Sequence, residues 1–269
     1  MAEVMISVDS LTVEYEGKRV LNNVNLDIER GEVMVLVGGS GSGKTTMLRH
    51  IVGLEKPTSG TVRVRGADIN RCSAEELMAI RRTMGVAFQE CALFNSMSVE
   101  ENVELPLHEL TNLADPVIEI MTYMKLAAVG LGDTGKLMPQ ELSGGMKKRA
   151  AVARATALDP EILVFDEPSA GLDPIVAAGL DELILFLKKA FQMTILVVSH
   201  ELASAFRIAD RLAMLDQGSL IAVDSKDAFR ASTQPRIRQF LDRVPDPIAE
   251  STAVQAHIRE LAGLTEATK

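Results

Sequence analysis

Val33-Met34-Val35-Leu36-Val37 runs directly into Gly38-Gly39-Ser40-Gly41-Ser42-Gly43-Lys44-Thr45. The first five residues are wholly apolar, as a buried strand is. The next eight fit G-x-x-x-x-G-K-[ST], whose glycines let the backbone curl so that successive N–H groups point at phosphate oxygens. The helix predicted from Lys44 to about Gly53 adds its positive N-terminal end. Strand, loop and helix in that order predict a nucleotide site in an α/β fold. Gly38, Gly39, Ser40, Gly41, Ser42, Gly43, Lys44, Thr45 and Thr46 form the phosphate cradle, with Lys44 reaching the β- and γ-phosphates and the Thr45 hydroxyl ligating Mg²⁺.

Working outward, residues 4–36 read as antiparallel strand material (Met5–Val8, Leu11–Tyr15, Val24–Ile28 and Val33–Val37), and Thr61–Val64 as a further strand. Ser73 with Glu76 three residues on is a capping box opening a helix to about Arg82. Met84–Gln89 reads as a strand that ends in Gln89. From Ser98 to Ala157 the pattern turns helical, with Val117, Ile120, Met121 and Met124 at helical spacing. Strands at Ile162–Phe165, Thr194–Ser199, Arg211–Leu215 and Leu220–Val223 then alternate with helices at Pro174–Ala190 and Glu201–Ile208. That alternation predicts a parallel α/β core.

Composition narrows the class. The chain has 269 residues, 47% hydrophobic and 24% charged, an ordinary globular balance. Its net charge of −9 argues against a nucleic-acid-coating surface. Aromatics are 4% with no Trp, too few for base-stacking platforms. Cys72 and Cys91 cannot form a disulfide framework, and His50, His108 and His257 lack metal-ligand spacing. The N-terminal MAEVMISVDS has no basic segment of a secretory leader, no apolar run is long enough to span a bilayer, and mean hydropathy is +0.14. A soluble, intracellular chain is expected.

Two more motifs complete the chemistry. Ile162-Leu163-Val164-Phe165-Asp166-Glu167 is an apolar strand ending in two acids. Asp166 is expected to hold Mg²⁺ and Glu167 to polarise an attacking water. Leu142-Ser143-Gly144-Gly145 opens a long helix, and two glycines weaken a helix start unless backbone must approach something closely.

Together these residues resemble the ATPase subunit of ABC transporters, over roughly Met5–Phe240. The resemblance implies a P-loop NTPase fold of the ABC ATPase type, α/β, with a mixed sheet core, an N-terminal antiparallel β part and a helical signature subdomain. It implies an ATPase domain over 1–243 (core 1–89 and 158–243, helical subdomain about 90–157) and a tail over 244–269, disordered or partner-docking. Tyr15 falls where the family stacks an aromatic on adenine. Gln89 resembles the Q-loop glutamine that senses Mg²⁺ and the γ-phosphate, His200 the switch histidine, and Ser169-Ala170-Gly171-Leu172-Asp173 the D-loop at the dimer interface. Ser143, Gly144 and Gly145 would act on the opposite subunit's ATP, so one copy of each motif implies a homodimer. Glu90–Leu107 lies where a permease's coupling helix docks, and Leu93, Phe94, Met97 and Val99 there are either an apolar groove or subdomain core.

Lys136-Leu137-Met138-Pro139-Gln140-Glu141-Leu142-Ser143-Gly144-Gly145-Met146, Glu90-Cys91-Ala92-Leu93-Phe94 and Pro235-Arg236-Ile237-Arg238-Gln239-Phe240-Leu241 are similar to the Mla-type (Mce-associated, toluene-tolerance) phospholipid transport ATPases. That similarity implies a peripheral subunit at the cytoplasmic face of the inner membrane, with a multi-spanning permease, an Mce-domain lipid-binding subunit and a STAS-domain subunit. The implied work is phospholipid movement between inner and outer membranes. Met146 stands where most of the family has Gln and cannot hydrogen-bond strongly, which predicts competent but slow hydrolysis. An ABC transporter ATPase for another cargo is the rival reading. A non-transport ABC ATPase would bring coiled-coil insertions or two ATPase halves, and a GTPase an Asn-Lys-x-Asp motif; the sequence has none of these.

Overall fold

Two kinds of strand build two sheets in the computed structural model, which describes residues 3–245. The tail reading from 246 onward lies outside the described residues. Strand β1 (Val4–Tyr15) pairs antiparallel with β2 (Lys18–Glu29) through a turn whose Glu16 and Gly17 are both left-handed. The two strands expected around Ser10 are one: Ser10 has φ 53°, and the register with β2 shifts between Val8 and Leu11, a bulge that interrupts the alternation without ending the strand. With β4 (Ser59–Val64) and β5 (Ala67–Asp68) these form a sheet of order β2-β1-β4-β5.

Strand β3 (Val33–Val37) departs from the expected antiparallel layer and pairs parallel with β8 (Thr194–Val198) and β9 (Arg211–Asp216). All five of its residues are buried, as a strand covered on both faces requires. With β6 (Met84–Ala87), β7 (Ile162–Asp166) and β10 (Ser219–Ser225) it makes a mixed sheet of order β10-β9-β3-β8-β7-β6, antiparallel only at the β9–β10 edge. One core joins both sheets through helix α1 (Lys44–Ile51): Met47, Leu48 and Ile51 pack with Leu11, Val24, Leu36, Val164 and Leu196.

Capping boxes at Ser73 and Ser98 start α2 (Ala74–Arg82) and α3 (Val99–Leu110). Next come α4 (Asp115–Ala128), α5 (Gly144–Ala155), capped by Ser143, and α6 (Pro174–Phe191), capped by Asp173. Helices α7 (Leu202–Ile208) and α8 (Lys226–Ala231) follow. On α4 the apolar spacing points the other way from a core stripe: Val117 is 43% exposed, Ile120 and Met124 62%, while Ile118, Thr122 and Leu126 are buried. Val99 is core, whereas Phe94 is 51% exposed.

The chain divides into two compact units, 1–232 and 233–269. In the second, α9 (Pro235–Leu241) starts on a proline at its first position and carries an Arg238–Asp242 ion pair. Among the described residues no helix is long and apolar enough to cross a membrane.

Candidate active site

Strands β3, β8 and β7 are neighbours, so the loops leaving their C-terminal ends lie side by side, where open α/β sheets place ligands. The loop after β3 needs its glycines for space and backbone: Gly38 (φ 152°) and Gly43 (φ 104°) are left-handed or beyond. A Cβ on Gly38 would come 2.2 Å from the Leu215 carbonyl oxygen. Lys44, 8% exposed, donates to the Gly38 and Gly39 carbonyls at 2.9 Å each. Burial lowers its pKa, and the nearby charges of Glu167 and Asp166 oppose that.

At the end of β7 Asp166 is buried, and burial followed by the charge of Glu167 raises its pKa. The Thr45 hydroxyl hydrogen-bonds its carboxylate, while Oδ1 is buried without a partner. A hydroxyl and a carboxylate oxygen with unused acceptor capacity, beside a phosphate loop, suit Mg²⁺, which takes one or two carboxylate-type ligands plus phosphate oxygens and water. No cluster of three or more His, Cys, Asp or Glu able to hold a metal occurs among the described residues.

Glu167 has φ 49°, a left-handed backbone that costs a non-glycine residue ~1–3 kcal/mol and recurs at active sites. Its N–H donates to the Val198 carbonyl at 2.9 Å, holding the bend. Its Oε2 lies 2.7 Å from His200 Nδ1 and accepts the His200 backbone N–H at 3.2 Å. The carboxylate is buried, and the exposed imidazole that holds it lies two residues past the end of β8.

The remaining expected residues are not gathered there. Strand β6 stops at Ala87, so Gln89 lies two residues past the strand it was expected to end. It lines a separate cleft of about 530 Å³ with Gly144, Lys147, Lys148, Gly171 and Leu172. Among the described contacts none joins Gln89 to Asp166 or Thr45. Tyr15 is half exposed and donates its hydroxyl to Glu55; burial first, then that acid, pushes the phenol pKa up to about 12. The Asp173 carboxylate accepts the N–H groups of Ile175 and Val176 and so caps α6. Ser143 caps α5 through the Met146 N–H at 3.3 Å. Gly145 is explained within the chain, since a Cβ there would come 2.5 Å from Val176 Cγ1. Ser40 is exposed on the loop; Thr45, exposed in the first turn of α1, does reach Asp166, and Thr46 lends its carbonyl to His50 Nδ1 at 2.8 Å.

Two residues escaped the sequence reading. Lys148 on α5 donates to the Gln89 carbonyl at 2.6 Å and the Glu167 carbonyl at 3.3 Å. Arg154 donates to the carbonyls of Cys91 and Ala92 at 2.8 and 2.7 Å. The available signal was Lys148 at helical spacing from Ala151 and Val152, a cation on an apolar face.

The ABC transporter family matches residues 21–170. The chain is 41% identical over 266 residues to the "Probable ribonucleotide transport ATP-binding protein mkl" of Mycobacterium leprae, covering 98% of this chain and 77% of that one. It is 43% identical over 227 residues, 84% of each chain, to the "Intermembrane phospholipid transport system ATP-binding protein MlaF" of Escherichia coli strain K12. Among solved structures, a dimeric ATP-binding cassette in a post-hydrolysis state bound to ADP and Pi superposes with a TM-score of 0.77 at 32% identity, covering 82% of this chain and 99% of that one. Matched in sequence across the phosphate loop, the signature and the β7 acids, and in fold across most of its length, the chain belongs to the ABC transporter family, as an ATP-hydrolysing cassette.

Proposed function

We propose that this chain is the ATPase of an inner-membrane complex that moves phospholipids between the inner and outer membranes. The observation that carries the hydrolytic part is the buried Glu167 carboxylate 2.7 Å from His200 Nδ1, beside Lys44. In this reading Lys44 and the N–H groups of 38–46 bind and orient the β- and γ-phosphates of ATP. Thr45, Asp166 and Gln89 would hold Mg²⁺, which when bound would neutralise charge on the phosphate oxygens. Glu167 accepts the proton of the water that attacks the γ-phosphorus, and the γ-phosphoryl bond to ADP breaks. His200 fixes the Glu167 carboxylate and faces the γ-phosphate. Ser143, Gly144 and Gly145 complete the opposite protomer's site, and Asp173 shapes the D-loop between the two copies.

Similarity to MlaF at 43% identity and the Leu142–Met146 signature with Met support the phospholipid cargo. They also support a homodimer on a permease at the cytoplasmic face, with Mce-domain and STAS-domain subunits. The outward stripe of Val117, Ile120 and Met124, with Phe94, gives the permease an apolar surface. The 41% identity to mkl favours a second reading, a cassette for ribonucleotide cargo. Tagged chain purified in detergent from its own cell decides between them. Copurified membrane subunits carrying phospholipid support the first reading; subunits that bind ribonucleotide and no lipid overturn it.

A further inference from the structure

Helix α5 reaches out of its own segment with three cations directed at backbone oxygens: Arg149 at the carbonyls of Val129 and Gly179, and Lys148 and Arg154 at the loop after Gln89. Lys148 is 9% exposed, and its described hydrogen-bond partners are the carbonyls of Gln89 and Glu167, 59 and 19 residues away in sequence. Arg154, also at the Gln89–Ala92 loop, binds two consecutive carbonyls, those of Cys91 and Ala92. Both of these residues are left-handed, at φ 62° and 51°. Two successive non-glycine residues in that conformation persist only where surrounding contacts hold them. A guanidinium fork on both carbonyls is such a contact, since its planar donors fit paired oxygens. The loop after Gln89 is therefore pinned to α5 at both ends, by Lys148 at the start and Arg154 beyond.

Lys148 also reaches the residue proposed as the base. Burying an ammonium is costly unless its donors are matched, so the Gln89–Lys148–Glu167 link is a constraint on all three segments. Glu167 sits on a strained backbone, and its carboxylate position follows that backbone. Helix α5 starts at Ser143 and Gly144, five and four residues before Lys148.

We propose that Lys148 is a positioning residue for Glu167. Its ammonium fastens the backbone of Glu167 to that of Gln89 and to the helix that begins at the signature. A displacement of α5 or of the Gln89–Ala92 loop is thereby transmitted to the carboxylate that activates water. This rests on the proposed reading of Glu167 as base and of the loop after Gln89 as facing the permease.

The test uses the full chain as purified, with ATPase kinetics and hydrogen exchange measured with and without Mg-ATP. Lys148→Met should lower kcat on the order of 10- to 100-fold, as misplacement of a reacting group does, with KM for ATP within about 3-fold. Lys148→Arg should restore most of kcat, because a longer cation can span the same two carbonyls. In Lys148→Met the amides of 88–93 and 167–170 should exchange faster, while those of β3 stay protected. If Lys148→Met does not fold, Lys148→Gln takes its place in the same comparison. A kcat within 2-fold of wild type, or equal loss in the Arg and Met variants together with lowered Tm, overturns the proposal. Failure of the base reading shows separately, as turnover retained by Glu167→Gln, and leaves the exchange comparison to decide the link.

Discussion

The catalytic edge and the helical stretch from α3 to α5 are built by opposite rules. At the edge, chemistry follows contiguous strands: β3, β7 and β8 are buried along their whole length, and each delivers its functional residues within a few positions of its end. In the helical stretch the polar contacts join residues far apart in sequence, and the regular apolar spacing of α4 faces outward. A strand buried on both faces has one place to go, so its end is predictable. An amphipathic helix has a face but no label saying whether core or partner will cover it.

The largest expected effect breaks the edge. Glu167→Gln should reduce ATP turnover by at least ~10²-fold, since general base and electrostatic contributions are of that size, while ATP still binds and stabilises a dimer. Full turnover measured by phosphate release would refute the assignment.

The second contrast lies within α4 itself. Ile118→Ala should cost ~2–5 kcal/mol in denaturant unfolding, because Ile118 is 1% exposed. Ile120→Ala, at a site 62% exposed, should stay within ~0.5 kcal/mol yet reduce recovery of the permease. Equal stability losses would mean that the stripe is core after all.

A smaller effect joins the two regions. Gly145→Ala places a methyl 2.5 Å from Val176 Cγ1 on α6. Overpacking of this kind costs ~1–3 kcal/mol, read as a lowered Tm. Unchanged Tm would show that α5 and α6 can part at that point without loss.

The smallest effect tests the acidic cleft between α3 and α4, lined by Glu100, Glu104, Asp115, Glu119 and Asp133. Burial first, then the charge of Glu100, raises the Glu104 pKa. A carboxyl with a raised folded-state pKa gains a proton on folding, so its favourable contribution is complete below its ordinary value and is lost as pH rises through the raised one. Glu104→Gln should therefore raise Tm at neutral pH, with the gain shrinking as pH falls through the raised pKa. A gain that grows toward acid pH would reverse the sign and overturn the argument.

Legibility followed the same division. The phosphate loop and the β7 acids were readable because each is a local string attached to an unmistakable strand, whereas His200 was named from resemblance. The Glu167–His200 contact was not readable, since it depends on β7 and β8 being neighbours rather than on spacing along the chain. Tyr15 and Asp173 were named from resemblance, and their contacts turned out to be Glu55 and a helix cap. The left-handed Ser10 disguised one strand as two, because a bulge breaks periodicity without breaking pairing.

Sequence alone determined that this protein carries a phosphate cradle on a parallel α/β core, because glycine spacing and all-apolar strands admit few other backbones. Tertiary structure decided which functional groups meet. The bend of Glu167 toward His200 and the reach of Lys148 to two carbonyls depend on strand order and helix placement, which local residue preferences do not encode.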